Sequence, residues 1–347
     1  MKTSFGVTKD GKAVSLYTLK NTHGVKASVT DFGATLVSLI VPDKNGKPLD
    51  VVLGYDDVGT YEERGTIAYF GAIIGRVGNR IKGAKFTLNG ETFTLTDNYN
   101  GCTLHGGRDQ YNIRVWDVVE ADEKHVSFLL VSPDGDQGFP GEAKITVTYT
   151  LTDDNSLEIH YHGTVDKDTP VAMTHHSYFN LSGHDSGDVL KHLLWINADT
   201  FCEIDDMSIP TGKMVDVTGT PLDFTTPKEV GADLFNDCES LKLAGGYDHN
   251  YAINGSGFRP VASLCSKESG ITMEVQTDLP GMQFYSANLT TEPGKGGVTY
   301  QPHCAICLET QYFPDSVNQT YFESPIVKAG KSFDSVTAYK FNTSAGE

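Results

Sequence analysis

The chain has 347 residues, 39% hydrophobic and 21% charged, which is the balance of a soluble globular protein with material for a sizeable core. Its 27 Lys and Arg stand against 45 Asp and Glu, a formal charge of −18, which argues against nucleic acid or an anionic membrane as partner, since both are held by cations. No run of 18 apolar residues spans a membrane, the start lacks the apolar stretch of a secretory signal, and six irregularly spaced cysteines suit a reducing cytoplasm better than a disulfide framework.

In chain order, the predicted elements are short strands with frequent turns. "VKASVTDFGATLVSLIVP" (25–42) opens the series. "FTLNGETFTLT" (86–96) reads as a hairpin, with Asn89-Gly90 supplying the two positive-φ positions of a type I′ turn. "VWDVVEADEKHVSFLLV" (115–131) follows, and "AKITVTYTLTDDNSLEIHYHGTV" (143–165) predicts two alternating strands around Asp153-Asp154-Asn155. "ITMEVQT" (271–277), "MQFYSANL" (282–289), "AICLETQYF" (305–313) and "FDSVTAYKF" (333–341) continue the style. Helix-like stretches are brief, for example "PKEVGADLF" (227–235) and "DCESLKL" (237–243). With no repeat period and no Pro/Ser-rich linker, the expectation is one all-β domain over residues 1–347. Alternation throughout argues against βαβ units and for a large sandwich of extended sheets.

Familiar short motifs fail on inspection. "AGKS" (329–332) lacks the first glycine of a phosphate loop, where Pro325 stands. "DGDQG" (134–138) begins a calcium loop whose twelfth position would be Ile145 instead of a bidentate acid. Cys304-x-x-Cys307 has no second pair, so two buried strand cysteines are expected there. "IGRVGNRIKG" lacks the strand-and-helix setting of a dinucleotide site.

The segment "MTHHSYFN" (173–180) carries more. On a strand, Met173, His175, Ser177 and Phe179 share one face, while Thr174, His176, Tyr178 and Asn180 share the other. The first face carries apolar anchors and predicts core; the second is polar and aromatic, the character of a polyol-binding wall. His176 is therefore the functional candidate and His175 a packing or supporting histidine. In "AICLETQYFPDS" (305–316) the same parity sets Cys307, Glu309 and Gln311 on one face. A glutamate there is either an exposed strand residue or a positioned base. His105 precedes two glycines, where backbone can approach a ligand. Arg80 and Asp248 lie near glycines, and Gln283 interrupts an aromatic strand. A Glu, two His, an Asp and an Arg with tyrosines suit acid–base work on a sugar.

In order, "GAIIGRVGNRI", "TLHGG", "DGDQGFPG", "THHSYFNL", "GYDHNY", "QFYSAN" and "CLETQYFPDS" closely resemble the galactose mutarotases, or aldose 1-epimerases, over nearly the whole chain. The resemblance implies an antiparallel β-supersandwich with an open sugar cleft and neither metal nor organic cofactor. It implies Glu309 as general base, His176 as general acid and His105 as an assisting group near the ring oxygen. Asn79, Arg80, His105, Tyr178, Asp248 and Gln283 become the groups that bind sugar hydroxyls. His175 stands where many relatives carry asparagine. A free aldohexose such as galactose or glucose is the implied partner, handled by a monomer or homodimer. The base would take the C1 hydroxyl proton as the acid protonates the ring oxygen; rotation about C1–C2 and closure then give the other anomer. That cycle calls for ionised Glu309 and protonated His176 together near neutral pH. The rival readings are a non-catalytic sugar sensor, a sugar-phosphate epimerase and a glycoside hydrolase using paired carboxylates.

Overall fold

The structure is a computed structural model that describes residues 1–343. Strands dominate, and every pairing between named strands is antiparallel. One sheet of nine strands runs in the order Asp117–Ala121, His125–Ser132, Ala143–Leu151, Ser156–Val165, Ser332–Thr343, Ile271–Thr277, Arg259–Cys265, Leu193–Ile196 and Lys228–Glu229. A second, of six strands, runs Tyr178–Phe179, Ile306–Gln311, Gly281–Tyr285, Asp248–Ala252, Thr200–Ile204 and Pro210–Asp216. The first five strands, from Lys2–Val7 to Pro48–Asp50, form a sheet of their own as a meander.

Alternation in the sequence becomes burial in the fold. Along Ala143–Leu151 every second residue is buried, so Ile145, Val147 and Tyr149 enter the core while the residues between face out. Each such side chain contributes about 1.5–3 kcal/mol relative to exposure. The core continues through Tyr161, Tyr339 and Phe179 into Leu308 and Phe284 of the six-stranded sheet. One apolar mass therefore backs the strands that carry the polar candidates on their other face.

The 86–96 hairpin forms as Lys85–Leu88 against Glu91–Thr94, with Asn89 at φ 52° and Gly90 at φ 83°. The turn at Asp153-Asp154-Asn155 joins two paired strands, with Asn155 at φ 63°. One expectation about a helix needs correction. "PKEVGADLF" is not helical: Lys228–Glu229 pairs with Leu193–Leu194, and the amides of Val230 and Gly231 donate to the carbonyls of His192 and Leu190. A helix instead occupies Val58–Arg64, capped by Asp57, whose carboxylate accepts from the Thr60 amide at 2.9 Å. The helical reading of "DCESLKL" holds as Glu239–Ala244.

Candidate active site

Strand register lays out the floor of the site. Tyr178 lies opposite Cys307, Cys307 opposite Tyr285 and Tyr285 opposite Asp248. Two residues along, Glu309 lies opposite Gln283, which lies opposite Asn250. Opposed residues share a face, so these are adjacent rows on one side of the sheet. Ile306, Leu308 and Phe284, of the other parity, are core.

His176 reaches the site from the neighbouring strand Thr174–His176, which pairs with Ala72–Ile74. Parity holds for the pair that mattered. His176 and Tyr178 lie on the cleft side, while His175 is buried among Tyr149 and Tyr339 with Nε2 at 3.1 Å from Ser177 Oγ. It fails for the ends of the run: Thr174 donates to the Thr310 carbonyl, and Asn180 donates to the carbonyls of Gly187 and Cys304. Chain direction changes between these residues, because 174–176 and 178–179 pair with different strands.

The third wall comes from two loops. His105 has φ 51°, and the glycine after it runs so close to Gly75 that an added Cβ would lie 2.0 Å from the Gly75 carbonyl oxygen. Asn79 and His105 exchange bonds: the His105 amide donates to the Asn79 carbonyl at 3.0 Å, and the Asn79 amide donates to His105 Nδ1 at 3.2 Å. Because Nδ1 is an acceptor, the neutral ring of His105 carries its proton on Nε2. Asn79 Oδ1 also accepts from the Arg80 amide at 2.9 Å, and the Arg80 guanidinium lies over the Tyr99 ring.

These walls enclose a cleft of about 450 Å³. Seven of the eight residues proposed from sequence line it: Asn79, Arg80, His105, His176, Tyr178, Asp248 and Glu309. Gln283 stands behind them, its Nε2 donating to Asp248 Oδ1 at 2.6 Å while its Oε1 accepts from Gln311. Exposed Ile67, Tyr99, Met207, Leu243 and Leu289 form the rim.

Within the cleft, His176 Nε2 lies 3.6 Å from Glu309 Oε1. Both side chains are buried, and Glu309 Oε2 and Arg80 Nε have no protein partner, which leaves them for a ligand. Burial pushes Glu309 well above the usual carboxylate range, reinforced by Asp248 and opposed by Arg80. Burial also drives His176 down to about 3. His105 is lowered well below its ordinary value by burial and by its neighbours His176 and Arg80, and Asp248 is raised by burial. Burial therefore works against the simultaneous ionised Glu309 and protonated His176 expected from sequence and favours Glu309 as the holder of the pair's proton.

Three neighbours were given no role at the site by the sequence reading. The rings of Tyr69 and Tyr178 stack with that of His176, at 5.6 Å and 25° and at 5.1 Å and 18°. The imidazole thus has two aromatic neighbours, which favour its cationic form. Cys307 Sγ lies 3.6 Å from His176 Nδ1. Gln311 orients Gln283 and also donates to Asn250. Only Gln311 and Cys307 carried a signal, their shared parity with Glu309. His176, Cys307 and Glu309 each offer a donor atom within 4.8 Å of the others, a set able to hold a metal ion.

The family profile described as aldose 1-epimerase matches residues 15–340. The chain belongs to the aldose 1-epimerase family. Among aldose 1-epimerase relatives, the galactose mutarotase of Bos taurus is 39% identical over 92% of this chain and 91% of its own. The aldose 1-epimerase of Escherichia coli K12 is 38% identical over 96% of each chain. A solved aldose epimerase homologue from C. elegans superposes with a TM-score of 0.87 at 33% identity, covering 95% of this chain and 99% of its own. The galactose 1-epimerase of Lactobacillus acidophilus gives a TM-score of 0.86 at 26% identity, covering 99% and 98%. The fold class is that of these galactose mutarotase-like structures, as the seven ordered motifs implied.

Proposed function

We propose that this protein is an aldose 1-epimerase that interconverts the α and β anomers of free hexoses such as galactose and glucose. The observation that carries the reading is the buried Glu309–His176 pair, 3.6 Å apart and open to the cleft. Glu309 accepts the C1 hydroxyl proton while His176 gives its proton to the ring oxygen, which opens the ring to the aldehyde. Opening moves the one shared proton from His176 to Glu309, and burial favours that destination. Tyr69 and Tyr178 hold the imidazolium needed at the start. Closure on the other carbonyl face reverses both transfers. Arg80, Asn79 and Asp248 bind hydroxyls, His105 assists near the ring oxygen with its Nε2 proton, and Gln283 aims Asp248. Fixing the sugar against a ready acid and base supplies orientation as well as proton transfer.

Sugar phosphates fit this cleft poorly. Arg80 is the one arginine or lysine among the described residues that line it; Arg64 is held by the lining Glu292, Arg114 is paired with Asp136, and Arg76, Arg108 and Arg259 donate to carbonyl oxygens. All of these site groups come from a single chain, which supports action as a monomer or as a homodimer of independent sites, with residues 1–347 as one catalytic domain. Six unpaired cysteines support a cytoplasmic setting; no helix among the described residues is long and apolar enough to cross a membrane.

The test is polarimetric mutarotation across a panel of free aldoses and hexose 6-phosphates. Free galactose or glucose should give the highest specificity constant. Sugar binding without turnover would leave a sensor, and a clear preference for a phosphate would replace the free-hexose assignment.

A further inference from the structure

We propose that His176, Cys307 and Glu309 form a binding site for a zinc-type divalent cation, and that the ion and the sugar exclude one another. The three donor atoms lie within 4.8 Å of each other, and all three side chains are buried. Cys307 Sγ is 3.6 Å from His176 Nδ1 and Glu309 Oε1 is 3.6 Å from His176 Nε2, so the thiol and the carboxylate flank the ring at its two nitrogens; one of those nitrogens takes the ion, and side-chain rotation closes the 4.8 Å span of the three donors around it. Glu309 Oε2 is buried without a partner, a free lone pair inside the cluster.

The donor set selects the ion. Thiolate, imidazole and carboxylate together are zinc ligands, whereas magnesium and calcium require oxygen shells. Charge points the same way. A divalent cation with one thiolate, one carboxylate and a neutral imidazole is a complex of zero net charge, the form that burial penalises least. On binding, the ion displaces the thiol proton of Cys307 and any proton on Glu309, and both leave to solvent. Three protein ligands leave a fourth position facing the cleft for water. The metal then occupies the lone pairs of the acid and base at once, so no sugar ring oxygen or C1 hydroxyl can reach them.

The exclusion of sugar and its consequence for turnover rest on the mutarotase reading, but cation binding does not, and the experiment reads binding directly. Titrating the full-length protein with Co²⁺ as sole metal should produce a thiolate-to-cobalt charge-transfer band that saturates at one ion per chain and is bleached by Zn²⁺. Saturating galactose should weaken the Co²⁺ half-point at least fivefold. Cys307→Ser should abolish the band while keeping a cooperative melting transition, and Glu309→Gln should keep the band but weaken binding tenfold or more. The galactose competition uses unmodified protein, so it decides the matter even if Cys307→Ser fails to fold. Absence of the band, its survival in Cys307→Ser through the half-buried Cys238 or Cys265, or indifference to galactose that calorimetry shows to bind the metal-free protein would each overturn the proposal, whereas a metal-free protein that binds no galactose would overturn the mutarotase reading.

Discussion

His176 Nε2 and Glu309 Oε1 lie 3.6 Å apart in a buried pocket, and that separation makes their protons a joint property. Solvated, such a pair would hold a single proton only between about the ordinary values of 4.5 for Glu and 6.5 for His. Burial moves the acid end of that window down: Glu309 holds its proton well above 4.5, and His176 takes a second only at about pH 3. The acid limb of kcat/KM should accordingly lie below 4.5. A narrow profile confined between 4.5 and 6.5 would mean that the pair behaves as two solvated groups.

The same burial makes Glu309 a cost to folding. Its folded-state pKa is raised, so its contribution to stability is full below the unfolded value and is lost as pH rises toward the folded value. Glu309→Gln removes that titration. The variant should lose mutarotation by roughly 10²-fold or more yet bind sugar within about tenfold. Its stability advantage over wild type should grow by up to about 1.4 kcal/mol per pH unit above the unfolded pKa. Denaturant unfolding at several pH values measures this; an advantage that shrinks as pH rises gives the wrong sign.

Tyr69 stacks with His176, as Tyr178 does. If its ring favours the imidazolium, Tyr69→Leu should lower kcat by about 2- to 30-fold, the equivalent of about 0.5–2 kcal/mol of cation–π interaction. Tyr69→Phe keeps the face and loses only the hydroxyl that accepts from Gln110 at 3.3 Å, so it should stay near wild type. Equal losses in the two variants would place the effect on the hydroxyl and remove the ring from the account.

Gln311 acts at one remove. Its Nε2 occupies Gln283 Oε1, which leaves Gln283 Nε2 to face Asp248. Gln311→Met fills the same space without the amide, so Asp248 loses its fixed orientation. Sugar KM should rise about 3- to 10-fold, with kcat changed less, since each such bond contributes about 0.5–1.5 kcal/mol. An unchanged KM beside a lower kcat would remove Gln311 from substrate positioning.

Most of this site was legible because it is built on strands, where parity alone separates cleft from core. Glu309 and Cys307 share a face for that reason, as do His176 and Tyr178. Tyr69 was not legible, since it lies in a loop at φ 59° and meets His176 only through the fold. Cys307 was weighed against Cys304 along the chain, but its neighbour is a histidine 131 residues away. The Val58–Arg64 helix buries only Val58 and Tyr61, too few positions to write a helical period. In "PKEVGADLF" the Glu, Ala and Leu residues favour helix, and the bonds to His192 and Leu190 override them.

The adjacent histidines give the sharpest test of parity. His176 faces Glu309, while His175 packs against Tyr149 and Tyr339 and reaches only Ser177. Removing a proton donor should lower turnover by roughly 10²-fold or more, so His176→Asn should be folded and nearly inactive. His176 lines the cleft and His175 does not, so His175 has no path to the sugar and donates no proton to the reaction. His175→Asn shortens a buried ring and should cost about 1–3 kcal/mol of stability with turnover within a few-fold of wild type. Turnover and thermal unfolding of both variants decide between the two roles. If well-folded His175→Asn is dead while His176→Asn turns over, the acid has been placed on the wrong face of the strand.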